Sequence, residues 1–289
     1  MGTSDLAKRM KEYEKRNRYY LQRRMPVILR LDMRAGHNFT KGFLRPFDEI
    51  FIKSIQETAK YLCENVQGCK LSYQQSDEIT LVLVDYDKLN TDCFFDYRVD
   101  KVCSIAASMA TMAFNNIFTH IYSQIYIDKK TKGEQVEEFV NTYCFKCGKA
   151  MFDCRCFNIP KEEVTNCIYW RQLDATRNSI QMVGQANFSH KELQNKSCND
   201  IQDMLMTQGI NWNDLPIYQK RGSCCVKENH FIENEKGTHI CFSEGCSDPF
   251  EDEEALTGMY KSGWFVDKNI PIFKGEGRKY IDDLIFVGE

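Results

Sequence analysis

The spacing of apolar and polar residues predicts a regular series of strands and helices in the first half of the chain. Residues 27–34, VILRLDMR, form an apolar run that is typical of a strand. Residues 47–66 carry apolar side chains at helical spacing. Residues 69–76 and 78–84 have the pattern of two further strands, and the Ser-Asp pair between them predicts a hairpin.

The same criteria predict four further elements. Residues 5–24 have the pattern of an amphipathic helix, and residues 96–123 have that of a long helix with one apolar stripe. Residues 151–159, MFDCRCFNI, are predicted to form a fourth strand. A helix is expected to follow Pro160, because proline is favoured in the first turn of a helix.

The order strand–helix–strand–strand–helix–strand is that of the split βαβ, ferredoxin-like arrangement. We therefore expect an α+β fold with an antiparallel βαββαβ sheet and two helices on one face. Residues 1–160 would form this sheet domain, and residues 161–289 would form a helical and irregular region packed on it. In that region, Ser189 and Glu192 have the spacing of a capping box, and loops and short strands are expected beyond Gly209.

Composition narrows the class of protein. The chain has 289 residues, 43% of them hydrophobic, and a net charge of −3, so it lacks a global basic signature. Basic residues are concentrated in the first predicted helix instead. The first residues contain no apolar signal segment, and no stretch approaches the ~20 apolar residues that span a bilayer. We therefore expect a cytoplasmic protein without a membrane partner, whose 14 cysteines are reduced.

Three carboxylates are expected at one end of the sheet. Asp77 and Glu78 stand directly before an apolar strand, although Asp and Glu are poor strand formers. Asp32 ends the first strand, which is the central neighbour of the third strand in a split βαβ sheet. Two carboxylates and a loop carbonyl suit Mg²⁺. Nucleotidyl-transfer enzymes use such a site to hold two ions roughly 3.5–4 Å apart.

The loop after Asp32 has a second property that nucleotide chemistry needs. Its sequence, MRAGHNF, contains a glycine and small residues, so its backbone N–H groups could approach a triphosphate closely. His37 and Arg45 are local candidates to neutralise phosphate charge. Many turns contain glycine, so this loop indicates a nucleotide site only in combination with Asp32 and the acidic pair Asp77 and Glu78.

Five segments of the sequence together resemble one known family. They are RLDMRAGHNFTKGFLRPFD, YQQSDEITLVLV, FDCRCFNIP, YWRQLDATRNSIQ and GINWNDLPIYQKRGS, within residues 30–223. The chain therefore resembles the tRNA-His guanylyltransferase superfamily. This resemblance implies a polymerase-type palm that adds nucleotides to the 5′ end of RNA in the 3′-to-5′ direction. It also implies ATP and GTP or other nucleoside triphosphates as substrates, tRNA as partner, and a homotetramer.

By position, the resemblance also implies roles for individual residues. Asp32 and Asp77 match the metal-binding aspartates, and Glu78 matches the acidic residue after them, which gives three catalytic carboxylates. Met33 matches a position whose carbonyl binds the metal and where the family has glycine. Further contacts to the nucleotide are implied for Arg34, Ala35, Gly36, His37, Arg45, Ser76 and Arg155, in addition to the residues around the metal.

One departure from the family pattern indicates which branch of the family this chain resembles. The guanylyltransferases proper carry His-Ile-Asn-Asn after Trp-Arg-Gln, whereas this chain reads DATRNSI, with Thr176 in place of the histidine. The sequence thereby resembles the guanylyltransferase-like branch, whose members restore missing 5′ nucleotides of tRNA against a template. We favour 5′-end repair, and addition of G at position −1 of tRNA-His is the alternative.

The implied reaction has two steps: activation of an RNA 5′-monophosphate by ATP, and attack by the 3′-OH of an incoming nucleotide. Metal ions at Asp32 and Asp77 would lower the pKa of that hydroxyl and offset charge on the leaving group. The phosphates of tRNA also need contacts from the protein. Candidates are Arg171, Arg177, Asn178 and Lys220, besides the basic first helix.

Four cysteines in CFKCGKAMFDCRC raise the question of a structural zinc site. Cys144, Cys147, Cys154 and Cys156 could supply four thiolates for a tetrahedral ion. The first pair resembles a zinc knuckle, but the second pair has Cys-x-Cys spacing on a predicted strand. We favour unrelated thiols over zinc.

Two other classes of function stay open. A nucleotide cyclase shares the sheet and the paired acids, and it would form a cyclic nucleotide from a nucleoside triphosphate alone. A non-catalytic RNA-binding module would bind RNA unchanged after Asp77→Ala.

Overall fold

The computed structural model describes residues 4–233 and 258–288, and within them one antiparallel sheet has the strand order β4-β1-β3-β2-β5-β6. The strands are β1 (Val27–Met33), β2 (Cys69–Gln75), β3 (Glu78–Leu83), β4 (Phe152–Asn158), β5 (Ser223–Glu233) and β6 (Gly258–Asp267). The predicted α+β class is confirmed. The predicted β2–β3 hairpin is present, and its turn is Ser76-Asp77.

Helices cover both faces of this sheet. They are α1 (Asp5–Lys15), α2 (Gly36–Phe39), α3 (Glu49–Asn65), α4 (Val99–Thr131), α5 (Glu137–Tyr143), α6 (Lys161–Asn187), α7 (His190–Leu193), α8 (Cys198–Thr207), α9 (Ile217–Arg221) and α10 (Lys279–Ile285). Short 3-10 turns lie at Phe94–Tyr97, Cys144–Lys146, Trp212–Asp214 and Gly275–Arg278. The predicted capping box is present at the start of α7, where Ser189 and Glu192 satisfy each other's backbone N–H groups.

The two faces of the sheet carry different cores because strand side chains alternate. Leu29 and Leu31 of β1 belong to the core that contains residues of α3 and α4. Ile28 belongs to the opposite core, which contains residues of α6 and α10. Asp32, which is even-numbered like Ile28, therefore lies on the α6 face at the end of β1.

The first helix is shorter than predicted. It ends at Lys15, and the chain that follows runs alongside the start of α4. Leu21 N donates to Tyr97 O at 3.0 Å, and Val99 N donates to Tyr19 O at 2.9 Å. These bonds to a distant segment replace the i to i−4 bonds of a helix, so tertiary contacts override the amphipathic pattern.

The last two strands are longer than the short strands expected beyond Gly209. β5 pairs with β2, and β6 pairs with β5 over ten residue pairs, so both extend the central sheet. The chain after residue 160 therefore shares a sheet with the chain before it. The division into functional regions at residue 160 stays a prediction, and residues 234–257 of the second region lie outside the described residues.

The sequence was expected to contain no stretch that could span a membrane, and helix α4 is an exception to this expectation. In the described part of the chain, α4 has the length and composition for a membrane span. Its buried side chains, among them Val102, Ala106 and Phe114, face α3 and β4. A core helix of a globular domain has the same properties.

Candidate functional site

Asp32 and Asp77 meet at the end of β1. Met33 N donates to Asp77 O at 3.1 Å, which ties the β2–β3 turn to the end of β1. Asp32 lies opposite Glu78 on β3 and opposite Asp153 on β4. Burial raises the pKa of Asp32 above its usual value, and repulsion from Asp77, Glu78 and Asp153 raises it further. Burial also raises the pKa of Asp77.

The chemistry of this pair fits a divalent cation. No lysine or arginine within residues 4–233 and 258–288 forms an ion pair with Asp32 or Asp77. No group of three or more acidic, histidine or cysteine side chains in these ranges could hold an ion by itself. Mg²⁺ in nucleotide enzymes commonly uses one or two carboxylates and completes its shell with water and substrate phosphates. Asp32, Asp77 and the Met33 carbonyl therefore fit Mg²⁺ that binds together with a nucleotide.

Met33 stands where the family pattern has glycine. Its side chain is almost fully buried in the core beneath the sheet. Every residue carries a backbone carbonyl, so methionine at position 33 still provides the oxygen expected to bind the metal. The core accommodates its larger side chain.

Glu78, predicted as a third catalytic acid, has a different environment. Arg171 binds it through both carboxylate oxygens at 2.7 and 2.9 Å, and Arg30 donates to it at 2.8 Å. Glu78 and Arg171 are both buried. Since both oxygens are engaged by guanidinium groups, Glu78 holds two arginines in place, an environment that favours a positioning role over the predicted catalytic one.

Gly36 lies against the carboxylate of Asp77. A Cβ atom at position 36 would sit 1.8 Å from Asp77 Oδ2, so a side chain there would force the Asp77 carboxylate to move. The sequence departs from the family here, since the place is usually aromatic. In this chain glycine lets the Asp77 carboxylate occupy the space that a side chain would take.

The loop presents unpaired N–H groups beside this carboxylate. Arg34 N is bonded to Met151 O, but among the described residues the N–H groups of Ala35, Gly36 and His37 have no hydrogen-bond partner. These three successive unpaired N–H groups, at the N-cap and first two residues of α2, provide donors for phosphate oxygens. The prediction of a triphosphate-binding loop therefore has a structural basis.

Aromatic packing fixes the position of this loop. Phe39 packs against Phe114 and Phe118 of α4, with ring centroids 5.7 and 5.5 Å apart. Phe43 stacks on Tyr143 at 4.9 Å. Both loop phenylalanines thus anchor the polar residues between them to the core.

A cleft of about 540 Å³ opens beside the acid pair. Its wall is built from the loop after β1, the start of α3, the β2–β3 turn, α6 and α9. This volume lies within the ~300–1,000 Å³ range of small-molecule sites. Lys41 and Arg45 line it together with polar side chains, so the cleft suits an anionic ligand with an apolar part, such as a nucleotide.

The cleft brings together only part of the predicted nucleotide site. Of the predicted nucleotide positions, Gly36, His37, Arg45, Ser76 and Asp77 line it, and so does Asn178, which was predicted as an RNA contact. The remaining predicted positions, Asp32, Met33, Arg34, Ala35 and Arg155, do not line it. Arg155 lies on β4 opposite Arg30, on the α6 face of the sheet.

Two of the predicted RNA contacts are buried. Arg171 is held by Glu78 and Asp174, and Lys220 donates to Asn213 O from a side chain that is only 8% exposed. Neither matches the surface position expected of a phosphate contact. Arg177 is exposed, but it is paired with Asp174.

Sequence reasoning missed Asp153. It lies opposite Asp32 on β4 and adds to the negative charge around the pair. The alternation of β4 offered a signal, because residues 153 and 155 must share a face.

The four cysteines considered for zinc do not form one site. Cys156 contacts Cys103 on α4, with the two sulfur atoms 3.4 Å apart. Cys147 instead lies beside Thr119, roughly 24 Å further along the same helix at 1.5 Å per residue. The two pairs therefore lie against positions more than four turns apart on one helix, and the favoured interpretation as unrelated thiols agrees with this placement. All cysteines in the described ranges are free.

Comparison with known proteins identifies the family of this chain. The Thg1 family model, described as tRNAHis guanylyltransferase, matches residues 7–160. An uncharacterised protein, R259 of Acanthamoeba polyphaga mimivirus, is 28% identical over an alignment of 256 residues that covers 81% of this chain and 81% of that protein.

Solved structures extend the similarity to the whole chain. A bacterial tRNA(His) guanylyltransferase (Thg1)-like protein in complex with ATP is 38% identical, with a TM-score of 0.76, over 98% of this chain and all of that one. A bacterial Thg1-like protein in complex with GTP is 35% identical, with a TM-score of 0.71 and the same coverage. The tRNA(His) guanylyltransferase of Saccharomyces cerevisiae is 21% identical, with a TM-score of 0.57, over 74% of this chain and 91% of its own, and shares the fold. This chain belongs to the Thg1, tRNAHis guanylyltransferase, family.

Proposed function

We propose that this protein is a Mg²⁺-dependent nucleotidyltransferase that adds nucleotides to the 5′ end of tRNA in the 3′-to-5′ direction, as a template-dependent repair enzyme. The observation that carries the proposal is the pair Asp32 and Asp77, which forms no ion pair with lysine or arginine in the described residues, beside three unpaired loop N–H groups. An adjoining cleft has the size for a nucleotide. Family membership supports nucleotidyl transfer to tRNA.

The residues of this chain would bind and orient the two reactants. The N–H groups of Ala35, Gly36 and His37 would hold phosphate oxygens, and Arg45 would offset phosphate charge from the cleft wall. Asp32 and Asp77 would hold Mg²⁺, which lowers the pKa of an attacking 3′-OH and stabilises charge on the leaving phosphate. Catalysis would then depend mainly on positioning and electrostatics.

Two observations support repair over dedicated addition of G. Thr176, which stands at the place of the family histidine, donates its hydroxyl to Gln172 O within α6 at 2.9 Å. Its side chain is thus occupied within its own helix. The identity to Thg1-like proteins, 38% and 35%, also exceeds the 21% to the yeast guanylyltransferase.

The direct test uses a tRNA that lacks its first nucleotide, with Mg²⁺, ATP and each nucleoside triphosphate in turn. Extension only by the nucleotide complementary to the 3′ half, lost in Asp32→Ala and Asp77→Ala, is the expected result. Addition of G regardless of template, and only to tRNA-His, would replace repair by guanylylation. Failure to extend any RNA, with formation of a cyclic nucleotide or with unaltered RNA binding by Asp77→Ala, would favour the two other classes.

A further inference from the structure

Trp170 is an exposed aromatic residue on the same sheet face as the acid pair. It lies on α6, and 54% of its surface is exposed, whereas Trp212 is 6% exposed. Tryptophan is highly buried on average in folded proteins. This exposure leaves part of the indole surface open to a partner.

Two fixed guanidinium groups hold this ring. The Cζ atom of Arg171 lies 4.6 Å from the ring centroid, and that of Arg30 lies 5.6 Å away. Glu78 binds both arginines, so neither is free to swing away from the indole. The buried Glu78 network therefore preorganises Trp170, which explains a buried ion-pair cluster that the proposed reaction does not use.

The position of the ring relates it to the reaction centre. Arg30 precedes Asp32 by two residues on β1, so both side chains lie on the α6 face of the sheet. Trp170, Arg30 and Asp32 are absent from the wall of the nucleotide cleft, to which α6 contributes Asn178 about two turns further on. The nucleotide cleft and Trp170 are thus separate surfaces near the same acid pair.

The edge strand β4 carries a cationic and an aromatic side chain on the face of the sheet where this ring lies. Arg155 stands opposite Arg30 on the edge strand β4, is 65% exposed in its side chain, and has Asp153 at 3.8 Å as its nearest acid. Phe157 follows on the same face of β4 and is partly exposed. An aromatic ring with an available guanidinium nearby matches a nucleobase and its phosphate.

We infer that Trp170, held by Arg30 and Arg171, is a stacking platform for the terminal nucleobase at the RNA 5′ end, and that Arg155 contacts the phosphate of that nucleotide. This inference rests on the proposed function, in which the acid pair must receive an RNA end as well as a nucleotide. The platform would orient the RNA end, while the cleft holds the incoming nucleotide.

The test measures stacking without catalysis. An acceptor-stem hairpin carrying 2-aminopurine as an unpaired 5′-terminal nucleotide, with a 5′-phosphate, is titrated with the full-length protein in the absence of nucleoside triphosphates. Stacking should quench its fluorescence. Trp170→Ala should abolish the quenching and weaken binding about fivefold to a hundredfold, since stacking of one base contributes about 1–3 kcal/mol. Trp170→Phe should retain most of both.

Controls separate the platform from the fold and from the proposed function. Phe286→Ala removes another exposed aromatic side chain and should change neither quenching nor affinity. ATP binding by Trp170→Ala should stay at the wild-type level, since Trp170 lies outside the cleft. Arg155→Gln should remove the preference for 5′-phosphorylated over 5′-hydroxyl RNA.

Two results would overturn the inference. Unchanged quenching and affinity in Trp170→Ala, with wild-type binding of the hairpin, would overturn the platform alone and leave the proposed function standing. Absence of hairpin binding by the wild-type protein would overturn both. Loss of ATP binding in both Trp170→Ala and Trp170→Phe would show that Trp170 supports the fold instead.

Discussion

At the scale of single residues, the adjacent acids Asp77 and Glu78 have opposite environments. Asp77 lies in the turn, without a cation partner in the described residues, against Gly36. Glu78 begins β3 and is enclosed by Arg30 and Arg171. One step along the chain therefore separates a candidate metal ligand from a structural ion pair.

Replacement of Glu78 tests its positioning role. Glu78→Gln removes the buried countercharge of Arg171 and leaves it paired with Asp174, so the free energy of unfolding should fall by up to about 3–5 kcal/mol. Urea denaturation measures the change. Glu12→Gln, in the exposed pair with Lys15, should change it by less than about 1 kcal/mol. Unaltered stability with lost activity would instead make Glu78 catalytic.

The acid pair should destabilise the protein in the absence of metal. Burial raises the pKa of Asp77 in the folded state, so its charged form costs folding free energy at neutral pH. Asp77→Asn should raise the melting temperature at pH 7 without Mg²⁺ by about 2–4 °C, which is about 1 kcal/mol at this size.

The pH dependence of this gain follows from the direction of the shift. As pH falls through the raised folded pKa and then the usual value, Asp77 becomes protonated in both states and the advantage of Asn disappears. Melting curves between pH 7 and pH 3 measure it. Asp87→Asn, which breaks a pair with Lys70, should give no gain. A gain that persists at pH 3 would contradict the prediction.

Gly36→Ala should displace the Asp77 carboxylate. The new Cβ atom would meet Asp77 Oδ2 at 1.8 Å, so nucleotide addition should fall at least about a hundredfold, as for misplaced catalytic groups. Gly42→Ala is the matched control, because a Cβ atom there meets nothing within 4 Å. Its positive φ should cost stability but spare activity. Equal activity losses in both variants would refute a specific contact.

At the scale of elements, α4 and β4 meet through three cysteines. Hydrogen bonds from Cys154 and Cys156 lower the pKa of Cys103 to about 6. Burial and the neighbouring Cys103 raise the pKa of Cys156 to about 12. Of the three cysteines, Cys103 on α4 is therefore the one favoured as a thiolate.

Alkylation measures this thiolate. At pH 7, iodoacetamide should modify Cys103 roughly tenfold faster in the wild type than in the Cys154→Ser, Cys156→Ser double variant, because thiolate is the reactive form. Mass spectrometry follows the rate, with the exposed Cys144 as internal reference. Equal rates in both proteins would show that the neighbouring thiols do not stabilise the Cys103 thiolate.

The ends of some helices and strands are set by contacts between distant segments, which the local pattern of apolar residues does not contain. The four strands β1 to β4 and the three long helices α3, α4 and α6 were predicted in kind and order because their apolar periodicity is strong, whereas the short helices α2 and α5 were not predicted. α1 was predicted too long, because backbone bonds from Tyr19 and Leu21 to the start of α4 hold that segment out of a helix. The pairing of β5 with β2 involves strands about 150 residues apart, which no local signal encodes.

At the scale of the whole molecule, six strands join the N-terminal and C-terminal parts into one sheet within the described ranges. α6, in the C-terminal part, packs on this sheet. It supplies Arg171 to Glu78, Asn178 to the cleft and Trp170 to the surface. A single helix thus contributes to both the proposed nucleotide cleft and the exposed surface around Trp170.

The homotetramer implied by the family resemblance stays a prediction at this scale. Light scattering should give about four times the 33.9 kDa chain mass. A mass that corresponds to one or two chains would contradict the prediction.

The sequence by itself determined the α+β class, the β2–β3 hairpin, the position of Asp32 and Asp77 at strand ends, and the family. These follow from periodicity of two or 3.6 residues and from short motifs, which are local. Tertiary structure decided which charges are available: it buried Arg171 and Lys220, bound Glu78, placed Asp153 beside Asp32, and separated the cysteine pairs. Burial and ion pairing depend on residues that are distant in sequence, so only the folded chain could set them.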